Sequence, residues 1–410
     1  MRFGIERDTL TEAVAWVARA LPNRPVLPIL SGLLLTATKT PDGTGELTLS
    51  CFDYEVSARI RVIADVTEPG TVLVPGRLLA EITRSLPGFP VELDDSTGQD
   101  VTLTCGAASF TLVTLPVEEY PELPELPVLA GTVDGGALGA AISQVVPAAS
   151  RDDTLPILTG VNIEFDGDVM TFAATDRYRL AMRELAWSPA DPALSATMLI
   201  PAKTLSDAAR MMANGVPVQI MLRGGTGGSS GSAGRGETQE RLRAADAMIG
   251  FECGGRRLTT RLIAGEFIKY KSRFPAEFGC QGDMPAAPLA EAVKRVALVA
   301  ERGSSVRLSF GDGTVTIEAG TEGQARARET VAAEFTGDER VIAFSPGYLL
   351  DGLSAALTAT NGAGAEDARI TLQFTSPTKP AVITGTPRDK AGQAPDFRYL
   401  VVPLRALASA

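Results

Sequence analysis

Histidine is absent from all 410 residues, tryptophan occurs only twice, and the four cysteines stand far apart. Without histidine, Ser-His-Asp and Cys-His nucleophile systems are excluded, as is any histidine general base. Zinc sites usually cluster Cys with His, so neither a metal nor a cofactor is expected. Cys51, Cys105, Cys253 and Cys280 form no CxxC pair; in a cytosolic chain this usage means buried thiols, not a disulfide framework. No run of roughly 18 apolar residues offers a membrane span. The opening MRFGIERDTL carries charges where a secretory signal needs an apolar stretch. A cytoplasmic protein with no membrane partner is expected.

What is present is ordinary for a globular protein: 45% hydrophobic and 21% charged residues. The length allows about two to four domains. The net charge of −11 has the wrong sign for a free nucleic-acid binder, because phosphate contacts are made by Lys and Arg. Net charge reports the average field, however, and not any one face.

The chain repeats itself. Leu10, Val14 and Val17 follow the spacing of one buried helix face, and Thr9 with Glu12 has the form of a capping box that would start that helix. The same spacing recurs at Leu138, Ile142 and Val145, and again at Leu289, Val293 and Val296. LPILSG at Leu27–Gly32 is matched by LPILTG at Leu155–Gly160, and Asp53-Tyr54 by Asp176-Arg177-Tyr178. Pro75, Pro201 and Pro346 each introduce a second apolar-periodic segment, where the fixed φ of proline suits a first helical turn. Each unit closes on alternating strands, and Gly254-Gly255 in the second is a two-residue hairpin signal.

Helix, strands, helix, strands is an α+β order with mostly antiparallel pairing, not the alternation of a parallel sheet. Domains are expected over 1–129, 130–279 and 280–410. The proline-bearing stretches Val117–Gly131 and Arg273–Pro288 read as links between them. A Gly/Ser-rich tract at 224–237 is expected to form a surface loop.

In order and spacing these landmarks resemble the bacterial DNA polymerase III beta subunit, the sliding clamp. RDDTLPILTG at Arg151–Gly160, ATDRYRL at Ala174–Leu180, VKRVALVAER at Val293–Arg302 and FRYLVVPLR at Phe397–Arg405 carry the likeness across the chain. The resemblance implies three tandem clamp domains, each with two helices backed by antiparallel sheets. Two chains would join head to tail into a six-domain ring that encircles duplex DNA without reading its sequence. Such a protein is no enzyme: it tethers DNA polymerases and is itself loaded by a clamp loader, both bound through short linear motifs.

Site residues follow from the same resemblance. DNA-facing candidates on or beside the helices are Arg24, Arg77, Arg84, Arg151, Lys203 and Arg210. The partner-peptide cleft would draw on Leu158, Thr175, Arg177, Tyr178, Arg179, Leu180 and Pro275, with Val402, Pro403, Leu404 and Arg405 from the tail. Core packing explains Leu158, Leu180 and Val402 equally well; Arg177, Tyr178 and Arg179 form a cluster that a simple core would not ask for. The subunit interface would pair Phe110 and Leu112 with Leu298 and Val299. Ala406 stands where the family commonly has a larger apolar residue and Tyr178 fills a slot that varies across it, so a housekeeping clamp and an inhibitor-tolerant second copy both stay open. Two other readings compete: an enzyme using Asp152, Asp153 and Asp176, and a repeat-built interaction module with no DNA role.

Overall fold

The computed structural model describes residues 1–404 except 96–97, 126, 213–214, 225–246, 302, 321–324, 339, 360–367 and 387–395. Most of the Gly/Ser-rich tract therefore lies outside the described residues, as do Arg405 and Ala406. Among the described residues six α-helices occur: α1 Arg7–Val17, α2 Gly76–Ser85, α3 Gly135–Val145, α4 Ala202–Ala209, α5 Ala286–Val296 and α6 Pro346–Ala359. They come as two per repeat. The first of each pair runs into a short 3-10 turn, at Ala18–Ala20, Val146–Ala148 and Ala297–Val299. The predicted apolar faces are the buried ones: Leu10, Val14 and Val17 on α1, and Leu289, Val293 and Val296 on α5. Each such side chain contributes about 1.5–3 kcal/mol of burial.

One expectation needs correction. α1 starts at Arg7, and its N-cap Glu6 makes no side-chain cap bond. Thr9 and Glu12 therefore lie inside the helix and form no capping box; Glu12 instead pairs with Arg256. The stretches read as links carry structure of their own. Tyr120 is buried, and its hydroxyl accepts from Phe52 N at 2.8 Å. The stretch after Arg273 contains strand Cys280–Pro285 and the start of α5.

The matched motifs fold alike. Pro28–Ser31 and Pro156–Thr159 are both 3-10 turns that feed strands beginning at Gly32 and Gly160. Pro75 and Pro201 end strands immediately before α2 and α4, and Pro346 opens α6. Gly254 and Gly255 have φ of 56° and 76°. Both therefore need the left-handed region, as a two-residue hairpin between Cys253 and its partner Arg256 requires.

The chain forms two compact units. One holds Met1–Gly135, Arg210–Gly225 and the stretch ending at Leu262; the other holds Gly136–Ala209 and everything from Ile263. In the first unit, strands 65–68, 2–5, 91–94, 100–105 and 108–113 form a five-stranded sheet in that order. A second sheet there runs 128–134, 217–223, 248–253, 256–261, 56–63, 45–52, 32–39, 70–75. It joins the first repeat to the second where Arg256–Arg261 pairs with Val56–Ile63.

The second unit repeats this plan. A nine-stranded sheet runs 195–201, 160–166, 169–175, 179–186, 397–401, 381–386, 369–374, 280–285, 334–336. A four-stranded sheet holds 326–332, 314–320, 306–311 and 341–344. Here the second repeat meets the third where Arg179–Ala186 pairs with Phe397–Val401. Every strand pairing named here is antiparallel.

Candidate peptide cleft and the surfaces around it

The turn between strands Val169–Thr175 and Arg179–Ala186 is built from side chains that bond their own backbone. Asp176 Oδ1 accepts from Tyr178 N at 3.0 Å and Arg179 N at 3.1 Å. Thr175 Oγ1 donates to Arg179 O at 2.6 Å and accepts from Arg177 N at 3.2 Å. Arg177 takes φ of 80°, a conformation that costs energy in any residue but glycine. The first repeat makes the same turn: Asp53 Oδ1 accepts from Glu55 N and Val56 N, and Tyr54 has φ of 74°. The left-handed residue thus belongs to the repeat and is no special device of one site.

What the second repeat adds is the turn's outward chemistry. The Arg179 guanidinium is buried and donates through Nε to Asp176 Oδ2 at 2.9 Å. It also pairs with Asp351 of α6, lies 3.4 Å from Tyr399 Oη, and covers the Tyr348 ring at 4.6 Å. Burial works against its charge, but Tyr399, Asp351 and Asp176 outweigh that and raise its pKa above the ordinary arginine value. Tyr399 in turn donates to Tyr348 O at 2.9 Å. α6 can approach this closely because position 352 is glycine: a Cβ there would fall 2.6 Å from the Tyr399 ring.

Tyr178 stays 53% exposed. Its ring stacks on Tyr348 at 6.2 Å with 19° between planes. The tail lies alongside: Val402 N donates to Tyr178 O, and Leu404 N to Ala343 O, both at 2.8 Å. Tyr178, Tyr348, half-buried Val402 and exposed Leu404 therefore make a rim that is apolar in body and polar at its edges. Such a surface can hold an apolar peptide anchor.

Several expected cleft residues support this rim instead of lining it. Thr175, Arg179 and Pro403 are buried. Leu180 packs with Ala173, Met182, Tyr270, Val382 and Leu400 under a crossing segment whose Phe267, Phe274 and Phe278 cover it. For Leu180, core packing is the observed role. Leu158 is half-buried in its 3-10 turn, Pro275 is half-buried next to Phe274, and Arg177 is exposed. Sequence reasoning misses Tyr348, Asp351 and Tyr399. The first two sit three apart in PGYLLDGL, a spacing that puts them on one helix face, and this is the signal that could have found them.

Comparison with known proteins follows the same order of parts. The DNA polymerase III beta subunit N-terminal domain matches residues 1–124, the central domain 132–269 and the C-terminal domain 271–403. The chain belongs to the bacterial beta sliding clamp family. It is 49% identical to the beta sliding clamp of Streptomyces coelicolor over 99% of both chains. It is 43% identical to the beta sliding clamp homolog GriR of Streptomyces muensis, again over 99% of both. Among solved structures, the Bacillus subtilis clamp matches with TM-score 0.81 at 25% identity, covering 99% of this chain and 100% of that one. A Pseudomonas aeruginosa clamp bound to griselimycin matches with TM-score 0.80 at 27% identity over the same shares. The fold is three tandem clamp domains.

Arg24, Arg77, Arg84, Arg151, Lys203 and Arg210 are all exposed. Arg77 donates to Asn23 Oδ1 at 2.7 Å and to Pro22 O at 3.0 Å, which ties it to the loop bearing Arg24. On α5, Lys294 and Arg295 are met by Glu291, and Arg295 also by Glu329.

At the expected subunit interface the candidates divide. Strand Ala108–Val113 stands at the edge of its five-stranded sheet. Leu112 is 2% exposed and points into its own core, so it offers little to a partner, whereas Phe110 is half-buried. Leu298 is 83% exposed and Val299 half-buried.

Two of the three carboxylates of the enzyme reading are otherwise occupied. Asp152 Oδ1 accepts from Thr154 Oγ1 at 2.6 Å and Thr154 N at 3.0 Å. The hydroxyl bond first, then the backbone bond, hold Asp152 below the ordinary carboxylate pKa. Asp176 serves Arg179. Among the described residues no group of three or more His, Cys, Asp or Glu side chains converges as a metal ligand set.

Proposed function

We propose that this chain is a DNA polymerase processivity factor. As a homodimeric ring it encircles and slides on duplex DNA, and it tethers polymerases and a clamp loader through the Tyr178–Tyr348–Val402 rim. The observation that carries the reading is the full-length, in-order match to beta sliding clamps, at up to 49% identity. The exposed cations on and beside the helices suit sliding, which needs weak, sequence-independent phosphate contacts that fade as salt rises. A soluble, cytoplasmic scaffold with no catalytic step is the role that follows; among the described residues no helix is long and apolar enough to cross a membrane.

The test is retention on DNA. The protein should elute at about twice 42.9 kDa, remain on nicked circular duplex once loaded, and slip off when the circle is cut. A monomer that binds linear and circular DNA alike would refute the reading.

A second reading, an inhibitor-tolerant copy, is favoured by one feature. Tyr178 sets a large exposed ring on Tyr348 at the rim. Griselimycin titration of the wild type and of Tyr178→Ala decides it: tolerance predicts weak binding that improves in the variant.

A further inference from the structure

One face of strand Val56–Ile63 is turned to α1: Ala58 and Ile60 are buried there, beside Cys51, whose thiol donates to Val17 O at 3.5 Å. Alternation puts Arg59, Arg61 and Ile63 on the other face, spaced about 7 Å apart along the strand. Arg257 stands directly across from Arg59. These three guanidinium groups have one carboxylate among them, Glu252, which Arg257 holds at 2.7 Å and Arg61 reaches only at 3.9 Å. Arg59 is left over: the charges that bear on it are the cations Arg257 and Arg61. The face is open, since the Arg61 side chain is 49% exposed and Ile63 77%.

The second repeat shows that the scaffold does not ask for these side chains. Asp53 and Asp176 head the same turn, so Arg59, Arg61 and Ile63 correspond to Met182, Glu184 and Ala186. Arg398 faces Met182 there, as Arg257 faces Arg59 here. That arginine is met by Glu184 at 3.6 Å and stacks on Phe274 at 5.3 Å. The first unit thus carries two cations in place of a thioether and a carboxylate, and an exposed isoleucine in place of a methyl group. Its surplus charge calls for an outside anion. A phosphate alone would make no use of Ile63. An extended peptide has the same two-residue pitch as the strand, so acids at alternate positions reach Arg59 and Arg61 while the next alternate residue covers Ile63. Glu46, across from Ile63, turns away a third acid and leaves that place to an apolar side chain. We propose that this sheet face docks an extended acidic segment of a partner protein, with acids at two alternate positions and an apolar residue at the next. The contacts are charge-assisted guanidinium–carboxylate bonds, on the side of the sheet away from α1.

The probe is acetyl-Leu-Thr-Glu-Thr-Glu-Thr-Leu-amide, which reads the same in both directions, titrated into the full-length protein by ligand-observed NMR. Binding is expected on the order of millimolar and should fade as salt rises. The Arg59→Met/Arg61→Glu double variant, which copies the second repeat, should weaken it at least tenfold. Ile63→Ala, at an exposed site, should weaken it about threefold. No binding by wild type, or equal binding by the double variant, by Ile63→Ala or to the same peptide with glutamine for glutamate, overturns the proposal. Tighter binding of an oligothymidylate, lost in the double variant, overturns the peptide assignment in favour of nucleic-acid phosphates. Retention of the double variant on circular DNA, measured in parallel, tests the processivity reading separately.

Discussion

Tyr178 and Tyr348, 170 residues apart in sequence, stack with their rings 6.2 Å apart and nearly parallel. The contact joins the turn of the second repeat to the first turn of α6. Half of Tyr178 stays open to solvent, so the pair reads as a binding surface more than as core. Tyr178→Ala should weaken an apolar polymerase-derived peptide about three- to tenfold, the value of one aromatic contact. Urea stability should change little. Fluorescence anisotropy with a labelled peptide checks the first expectation, and a denaturation curve the second.

Arg179→Ala should behave oppositely. Its loss strips Asp176 and Tyr399 of a buried partner, and breaking such a pair costs about 3 kcal/mol or more. The expected result is a lowered urea midpoint, with any loss of peptide binding following from disorder in the turn.

Leu298→Asp should leave the isolated chain folded and shift its elution toward the monomer, because that side chain is 83% exposed. Leu112→Asp should instead unfold the first unit, since a carboxylate cannot be buried there unpaired. Size exclusion and circular dichroism together separate these outcomes.

Burial pushes the Cys51 thiol up to about 12 from an ordinary 9.0. A raised pKa means that the folded state holds its proton more tightly. The associated stability is complete below about pH 9 and is lost as pH climbs toward 12. Urea midpoints from pH 8 upward should fall more steeply for wild type than for Cys51→Ala.

Arg59 stands directly across from Arg257 on paired strands. Arg257 has Glu252 at 2.7 Å, whereas Arg59 Nε has no partner. Burial first, then Arg257 and Arg61, lower the Arg59 pKa. Arg59→Thr should stabilise the first unit by about 0.5 kcal/mol at low salt, a gain that shrinks as salt screens the repulsion. Paired urea titrations at low and high salt measure it.

Local patterns made the repeat legible. LPILSG and LPILTG, the helix faces and Gly254-Gly255 each report geometry set by near neighbours in the chain. What the sequence hid depends on distant partners. Glu12 looked like a cap because Arg256, 244 residues away, could not be seen from its surroundings. Tyr120 looked like linker because the Phe52 amide that holds it lies on another strand. Leu112 has the alternation of an interface residue and of a core residue alike, and only burial separates them. Arg179 reads in the sequence as a charge that a simple core would not ask for, whereas the partners that bury it, Asp351 on α6 and Tyr399 on strand 397–401, are out of sight there.

The strand Phe397–Val401 has a further consequence for biosynthesis. That strand lies in the interior of the nine-stranded sheet, between 179–186 and 381–386. Until it emerges from the ribosome, both neighbours present bare edges, and the second unit cannot close. A message cut short before this strand would yield two open edges in each product, the arrangement most prone to aggregate.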